Sequence, residues 1–101
     1  MNPPIEAPRD PSESQESRLK RMRMRSWRRG TKEMDLILGP FSDEHLVNLT
    51  EDDLSLYDQL LSENDQEIYP WITGAAKTPE KYQELLGRIG QFARSRHMPQ
   101  R

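Results

Sequence analysis

The sequence is 101 residues long, 33% hydrophobic and 32% charged, with a formal net charge of -2; this places it at the polar end of globular proteins and bounds it to one small domain. A core this small forms only if most apolar residues meet in one cluster, which favours a helical bundle over a sandwich. The absence of cysteine excludes disulfides, thiolate metal sites and cysteine nucleophiles, and the apolar runs are a few residues long against the roughly 20 that span a bilayer.

Residues 1–16 read as a disordered N-terminal tail, because Pro3, Pro4, Pro8 and Pro11 stand among Ser, Glu and Asp with only Ile5 as an apolar anchor. Residues 1–17 carry four acidic residues and no apolar signal core, so neither a secretory nor a mitochondrial targeting peptide is expected there. The default expectation is a cytoplasmic setting.

Charge is strongly segregated from Arg18 to Glu67. Residues 18–32 hold eight Lys or Arg and no acid, and residues 33–67 hold eleven Asp or Glu and no Lys or Arg. Such a split can draw helices together within the fold or offer a partner two faces of opposite sign.

A first helix is predicted over 17–29. Leu19, Met22, Ser26 and Trp27 fall within an arc of roughly 140°, with Arg21, Arg25, Arg28 and Arg29 on the other side. Gly30 suits the left-handed position just past a helix end. A second helix runs from about Lys32 into the forties, with Met34, Ile37, Leu38 and Phe41 at helical spacing. A kink or restart is expected at Gly39-Pro40, and His45 to Leu49 close the segment. Thr50 and Asp53 resemble a capping box opening a third helix whose buried face is Leu54, Tyr57, Leu60 and Leu61. Asp65 is placed to cap a short fourth helix carrying Ile68, Trp71 and Ile72, with Pro70 tolerated near its first turn and Gly74 as its stop. Thr78 as N-cap and Pro79 at the first helical position announce the last helix, where Tyr82, Leu85, Leu86, Ile89, Phe92 and Ala93 give the strongest periodicity in the chain. The fold class is therefore all-α, a small five-helix bundle over residues 17–96, with 97–101 fraying.

Catalytic groups are scarce. His45 beside acidic residues reads as a partly packed side chain and His97 as a solvated one, and the scattered glycines 30, 39, 74, 87 and 90 make no phosphate loop. The carboxylates of Glu51, Asp52 and Asp53 diverge at a helix start and favour its dipole over a cation. No metal site and no enzymatic activity are expected. Arginines on one face of the first helix raise nucleic-acid binding as an alternative, opposed by the acidic stretch after it and by a pI near 5.7.

The string RRGTKEMDLILGPF, then HLVNLTEDDLSLYDQLLSENDQEIYPW, resembles the SdhE-type succinate dehydrogenase assembly factors, or flavinylation factors, over roughly residues 18–95. The signature is an Arg-Gly-x-x-Glu motif at the junction of the first two helices, here Arg29, Gly30, Thr31, Lys32 and Glu33, with an LYDQLL-type helix and an Asp-x-x-x-x-x-Trp segment after it, here Asp65 and Trp71. Many members have Met and Leu where this chain has Thr31 and Lys32.

The resemblance implies a five-helix helper that binds the flavoprotein subunit of succinate dehydrogenase, and in some cases of fumarate reductase; the free protein is expected to be monomeric. It would promote covalent attachment of FAD there without holding a cofactor stably itself. It also implies that Arg29, Gly30 and Glu33 contact the partner; Arg25 and Arg28, on the cationic face adjoining the motif, are secondary candidates, with ordinary solvated charge as the alternative. The residues alone leave open an intramolecular Arg29-Glu33 pair beside a C-cap glycine. Relatives described as antitoxin-like keep a second protein-interaction role in view.

Overall fold

The structure, a computed structural model, describes residues 12–97. The expectations of a disordered tail over 1–11, of fraying over 98–101 and of a solvated His97 side chain lie outside the described residues.

Ser14 sets the start of the first helix, α1 (Gln15–Ser26), by accepting the Ser17 N–H on its hydroxyl at 3.1 Å. That cap begins the helix inside the segment predicted as tail, and the helix ends three residues before its predicted limit, with Trp27 as C-cap. The buried seam is the i, i+4, i+8 row of Arg18, Met22 and Ser26. Trp27, predicted on the packing face, stays 40% exposed, whereas Arg18 is only 1% exposed. Arg18 is buried because the third helix, α3 (Glu51–Leu61), supplies its partners. Its Nη1 donates to both carboxylate oxygens of Glu51 at 2.9 and 3.0 Å, and its Nη2 to the Ser55 hydroxyl at 3.3 Å.

The charge split acts within the fold. Arg21 and Arg25 both reach Asp58, at 3.2 and 2.7 Å, so the basic side of α1 lies against the acidic side of α3. Arg21 also pairs with Glu13 at 3.0 Å, and that hydrogen bond raises the pKa of its guanidinium.

The second helix, α2 (Lys32–His45), is capped by Thr31, whose hydroxyl accepts the Met34 N–H at 3.2 Å. Gly39 and Pro40 lie inside this one helix, so of the kink or restart expected there the restart does not occur. Pro40 forfeits one helical hydrogen bond. Burial of Ile37, Leu38, Phe41 and Pro40 itself on one face outweighs that loss. A 3-10 turn, Leu46–Asn48, closes the segment as expected.

The third helix, α3 (Glu51–Leu61), opens on Thr50, which accepts the Asp53 N–H at 3.1 Å, and buries the four predicted residues. The fourth, α4 (Asp65–Thr73), is capped by Asn64 through its carbonyl oxygen to the Gln66 N–H at 2.8 Å, so the cap falls one residue before the predicted Asp65. Pro70 sits beyond the first turn of this helix, while Gly74 ends it at φ 88, the only positive φ among the described residues. The last helix, α5 (Gln83–His97), is entered through a 3-10 turn, Glu80–Tyr82. Thr78 is not its cap: its hydroxyl donates to the Trp71 carbonyl at 3.3 Å, and Pro79 is extended at ψ 143.

The bundle has five helices, as expected, with no strand among the described residues. Its core joins Met22, Met34, Leu38, Tyr57, Leu60, Ile68, Leu85 and Ile89, all at or below 1% exposure. At the centre the Tyr57 hydroxyl lies 2.7 Å from Ser26 Oγ, which in turn donates to the Met22 carbonyl at 2.8 Å.

Burial pushes the Tyr57 phenol above its ordinary value of 10.0. The folded-state value then exceeds the unfolded one, so the contribution of Tyr57 is complete below pH ~10 and declines as pH rises beyond it. Urea unfolding from pH 8 to 11 is expected to show a steeper alkaline loss of stability for wild type than for Tyr57→Phe. Parallel curves would contradict this.

Candidate partner-binding site

The five-residue link Trp27 to Thr31 between α1 and α2 is where the sequence placed its interaction motif. Arg29 occupies this link and turns its side chain inward, leaving 8% of it exposed. Its Nη1 donates to the Leu61 carbonyl at 2.8 Å, its Nη2 to the Glu63 carbonyl at 2.9 Å, and its Nε to Asp65 Oδ1 at 2.8 Å. Leu61 is the last residue of α3, where carbonyls have no partner within the helix, Glu63 lies in the link just after it, and Asp65 is the first residue of α4. One planar guanidinium therefore ties the α1–α2 link to the α3–α4 junction. The Arg29 N–H completes the arrangement by donating to Asp35 Oδ1 at 2.7 Å.

Gly30 belongs to the same unit. Its N–H donates to Asp65 Oδ2 at 2.6 Å, and a Cβ built on Gly30 would lie 3.3 Å from that oxygen. The predicted left-handed turn is absent, since Gly74 alone has positive φ among the described residues. A side chain here would meet a tight contact with a carboxylate rather than a strained backbone angle.

The intramolecular Arg29-Glu33 pair is not formed, because Asp65 takes the guanidinium. Glu33 is exposed in the first turn of α2 with no ion-pair partner among the described residues. Arg28 is likewise exposed with no ion-pair partner among them. Arg25 is engaged, donating to Asp58 at 2.7 Å and to Ser62 Oγ at 3.2 Å. The structure thus divides the candidates: Arg25 and Arg29 face the protein, whereas Arg28, the open side of Gly30 and Glu33 face solvent. A shallow depression beside Arg28 and Gly30 is bordered by Thr31, Asn64 and Gln66, and Glu33 lies outside it.

Asp65 is the residue that sequence reasoning missed. It was taken for a helix cap, and nothing in local spacing reveals a partner 36 positions away. Trp71, expected in the core, is half-buried against Tyr82, with ring centroids 5.8 Å apart, and Tyr69 is 42% exposed. His45 is partly packed, as expected, between the rings of Phe41 and Phe92 at 5.0 and 4.8 Å. Among the described residues, no group of three or more His, Asp or Glu is placed to hold a metal ion, and no helix is long and apolar enough to cross a membrane.

The family model described as flavinator of succinate dehydrogenase, Sdh5, matches residues 20–93, which include the whole corner just described. The chain belongs to this flavinator family. Among relatives, the protein named succinate dehydrogenase assembly factor 2-A, mitochondrial, of Drosophila sechellia is 36% identical over 93 residues, covering 89% of this chain and 57% of that protein. Succinate dehydrogenase assembly factor 2, mitochondrial, of Danio rerio is 38% identical over 85 residues, covering 81% of this chain and 54% of the relative. The chain spans about half the length of the curated relatives it matches.

Both relatives are named as mitochondrial, which overturns the cytoplasmic expectation. Acidic residues near the start of a sequence bear on whether a presequence lies there and do not fix a compartment. In this chain, Thr31 serves as the cap of α2 and Lys32 is exposed, so neither contributes apolar packing at the motif.

Proposed function

We propose that this protein binds the flavoprotein subunit of succinate dehydrogenase and promotes covalent attachment of FAD to it, without itself carrying out the chemistry. Family membership supports the partner and the process. The observation that carries the residue-level reading is the division at the motif: Arg29 and Asp65 hold the corner rigid, and Glu33 and Arg28 stand exposed on it. Arg29 is a positioning residue, Gly30 lets a partner backbone approach, and Glu33 supplies a charged acceptor, with Arg28 as an adjoining donor. Arg25 has a lesser share because Asp58 and Ser62 already occupy it.

FAD remains with the partner throughout. The protein is a monomer when free, and a fumarate reductase flavoprotein is a second partner of the same chemistry. Light scattering after size exclusion is expected to show a 1:1 complex when the protein is mixed with the isolated flavoprotein subunit, little changed by moderate salt. Failure to co-elute would contradict the proposal. A steeply salt-dependent shift of a duplex oligonucleotide would favour nucleic acid instead.

A further inference from the structure

Trp27 lies beside the motif corner and remains 40% exposed although the fold makes a specific seat for it. Its indole rests on α2 at Gly39, where any Cβ would collide with ring atoms Cδ2, Cε2 and Cε3. Its Nε1 donates to the Asp43 carboxylate at 3.2 and 3.3 Å. A glycine inside a helix costs roughly 1 kcal/mol relative to alanine. Here α2 gives up that stability to hold an indole that the fold then leaves open to water. Trp71 behaves as a structural tryptophan does, half-buried and packed against the core.

The surroundings of Trp27 have the composition of a contact surface. Lys32, Leu36, Gly39 and Asp43 share one face of α2 at i, i+4, i+7 and i+11. Leu36 is also 40% exposed, and Glu33 flanks it one turn earlier. The result is an aromatic and aliphatic centre with a charged rim of Lys32, Glu33 and Asp43, the arrangement in which interface energy concentrates.

Area gives the direction. A stable protein contact buries roughly 800 Å² on each side, more than the exposed part of residues 30–33 offers, so the contact must extend from the corner. On the α1 side, Arg21 and Arg25 are already committed to Glu13 and Asp58. On the α2 side, the Leu36 and Trp27 surface continues directly from Glu33.

We propose that Trp27 is an aromatic anchor for the flavoprotein subunit, and that the contact runs from Glu33 across Leu36 to the indole seated on Gly39. This rests on the reading that the Gly30 to Glu33 corner docks on that subunit. The occupant is a protein surface offering an apolar pocket with polar groups at its edge.

The test uses the full chain labelled with 5-fluorotryptophan, its two resonances assigned by Trp27→Phe, and titrated with unlabelled flavoprotein subunit. The Trp27 resonance is expected to shift and to lose its H2O–D2O isotope effect. Trp27→Ala should weaken the complex at least about thirtyfold and Leu36→Gln, at an exposed position, about fivefold. A complex that forms with the Trp27 resonance unmoved and Leu36→Gln at wild-type affinity would overturn the anchor and leave the flavoprotein reading standing. A Trp27 shift that tracks protein concentration without the flavoprotein would overturn it in favour of self-association. No complex with wild type would remove the underlying reading, and the anchor with it.

Discussion

Arg29→Ala is expected to lower unfolding stability by about 3 kcal/mol. The side chain makes three charge-assisted hydrogen bonds to groups that have little access to water. Truncation strands two carbonyls at the α3–α4 junction and leaves the Asp65 carboxylate, 11% exposed, without its cation. For a domain of this size the midpoint of thermal unfolding should fall by roughly 15 °C. Arg29→Lys should recover less than half, because an ammonium cannot span three acceptors in the plane of a guanidinium. The double variant Arg29→Ala/Asp65→Ala should cost less than the two single losses added together, since it leaves no stranded carboxylate. Wild-type stability in Arg29→Ala would refute the role of this side chain as the tie between the two helix junctions.

Glu33→Ala should do the reverse. The residue is exposed, and its main intramolecular role is a carboxylate near the positive end of α2, worth about 0.3–1 kcal/mol. Its unfolding midpoint should stay within a few degrees of wild type. Affinity for the flavoprotein subunit should nevertheless fall at least about tenfold, as expected when one charged partner of an interface pair is removed. Titration calorimetry with the isolated subunit reads this directly. Unchanged affinity would show that Glu33 lies outside the contact and would move the search along the corner to Arg28. The two substitutions together separate what holds the motif from what the motif presents.

Much of the bundle was legible because its signals are local. Thr50 as a cap, Gly74 as a stop, and the spacing of Leu85 to Ala93 report on near neighbours and appear in the structure where the pattern put them, whereas the Asp53 carboxylate leaves the expected capping box to pair with Arg88. The errors fall where tertiary contact outranks local preference. Pro40 sits inside a helix because its neighbour Phe41 packs on Tyr57 of α3 and Phe92 of α5, and Arg18 is buried because Glu51 and Ser55 come to meet it.

The motif was legible as a string and as a place, the junction of α1 and α2. Its internal division was not, because it depends on Asp65, which approaches only after α3 has reversed the chain. Gly30 illustrates the same limit: the sequence shows that a glycine is there, and only the structure shows the carboxylate it lies against. The cytoplasmic expectation failed for a different reason, since compartment is not a property of packing at all.

Covalent flavin fluorescence of the denatured flavoprotein subunit, after incubation with FAD and this protein, tests the role of the corner most directly. Wild type should raise the signal well above subunit and FAD alone, and Glu33→Ala, equally helical by circular dichroism, should not. A signal that wild type leaves unchanged, or that Glu33→Ala raises as fully as wild type, would contradict the assignment of flavinylation to this corner of the fold.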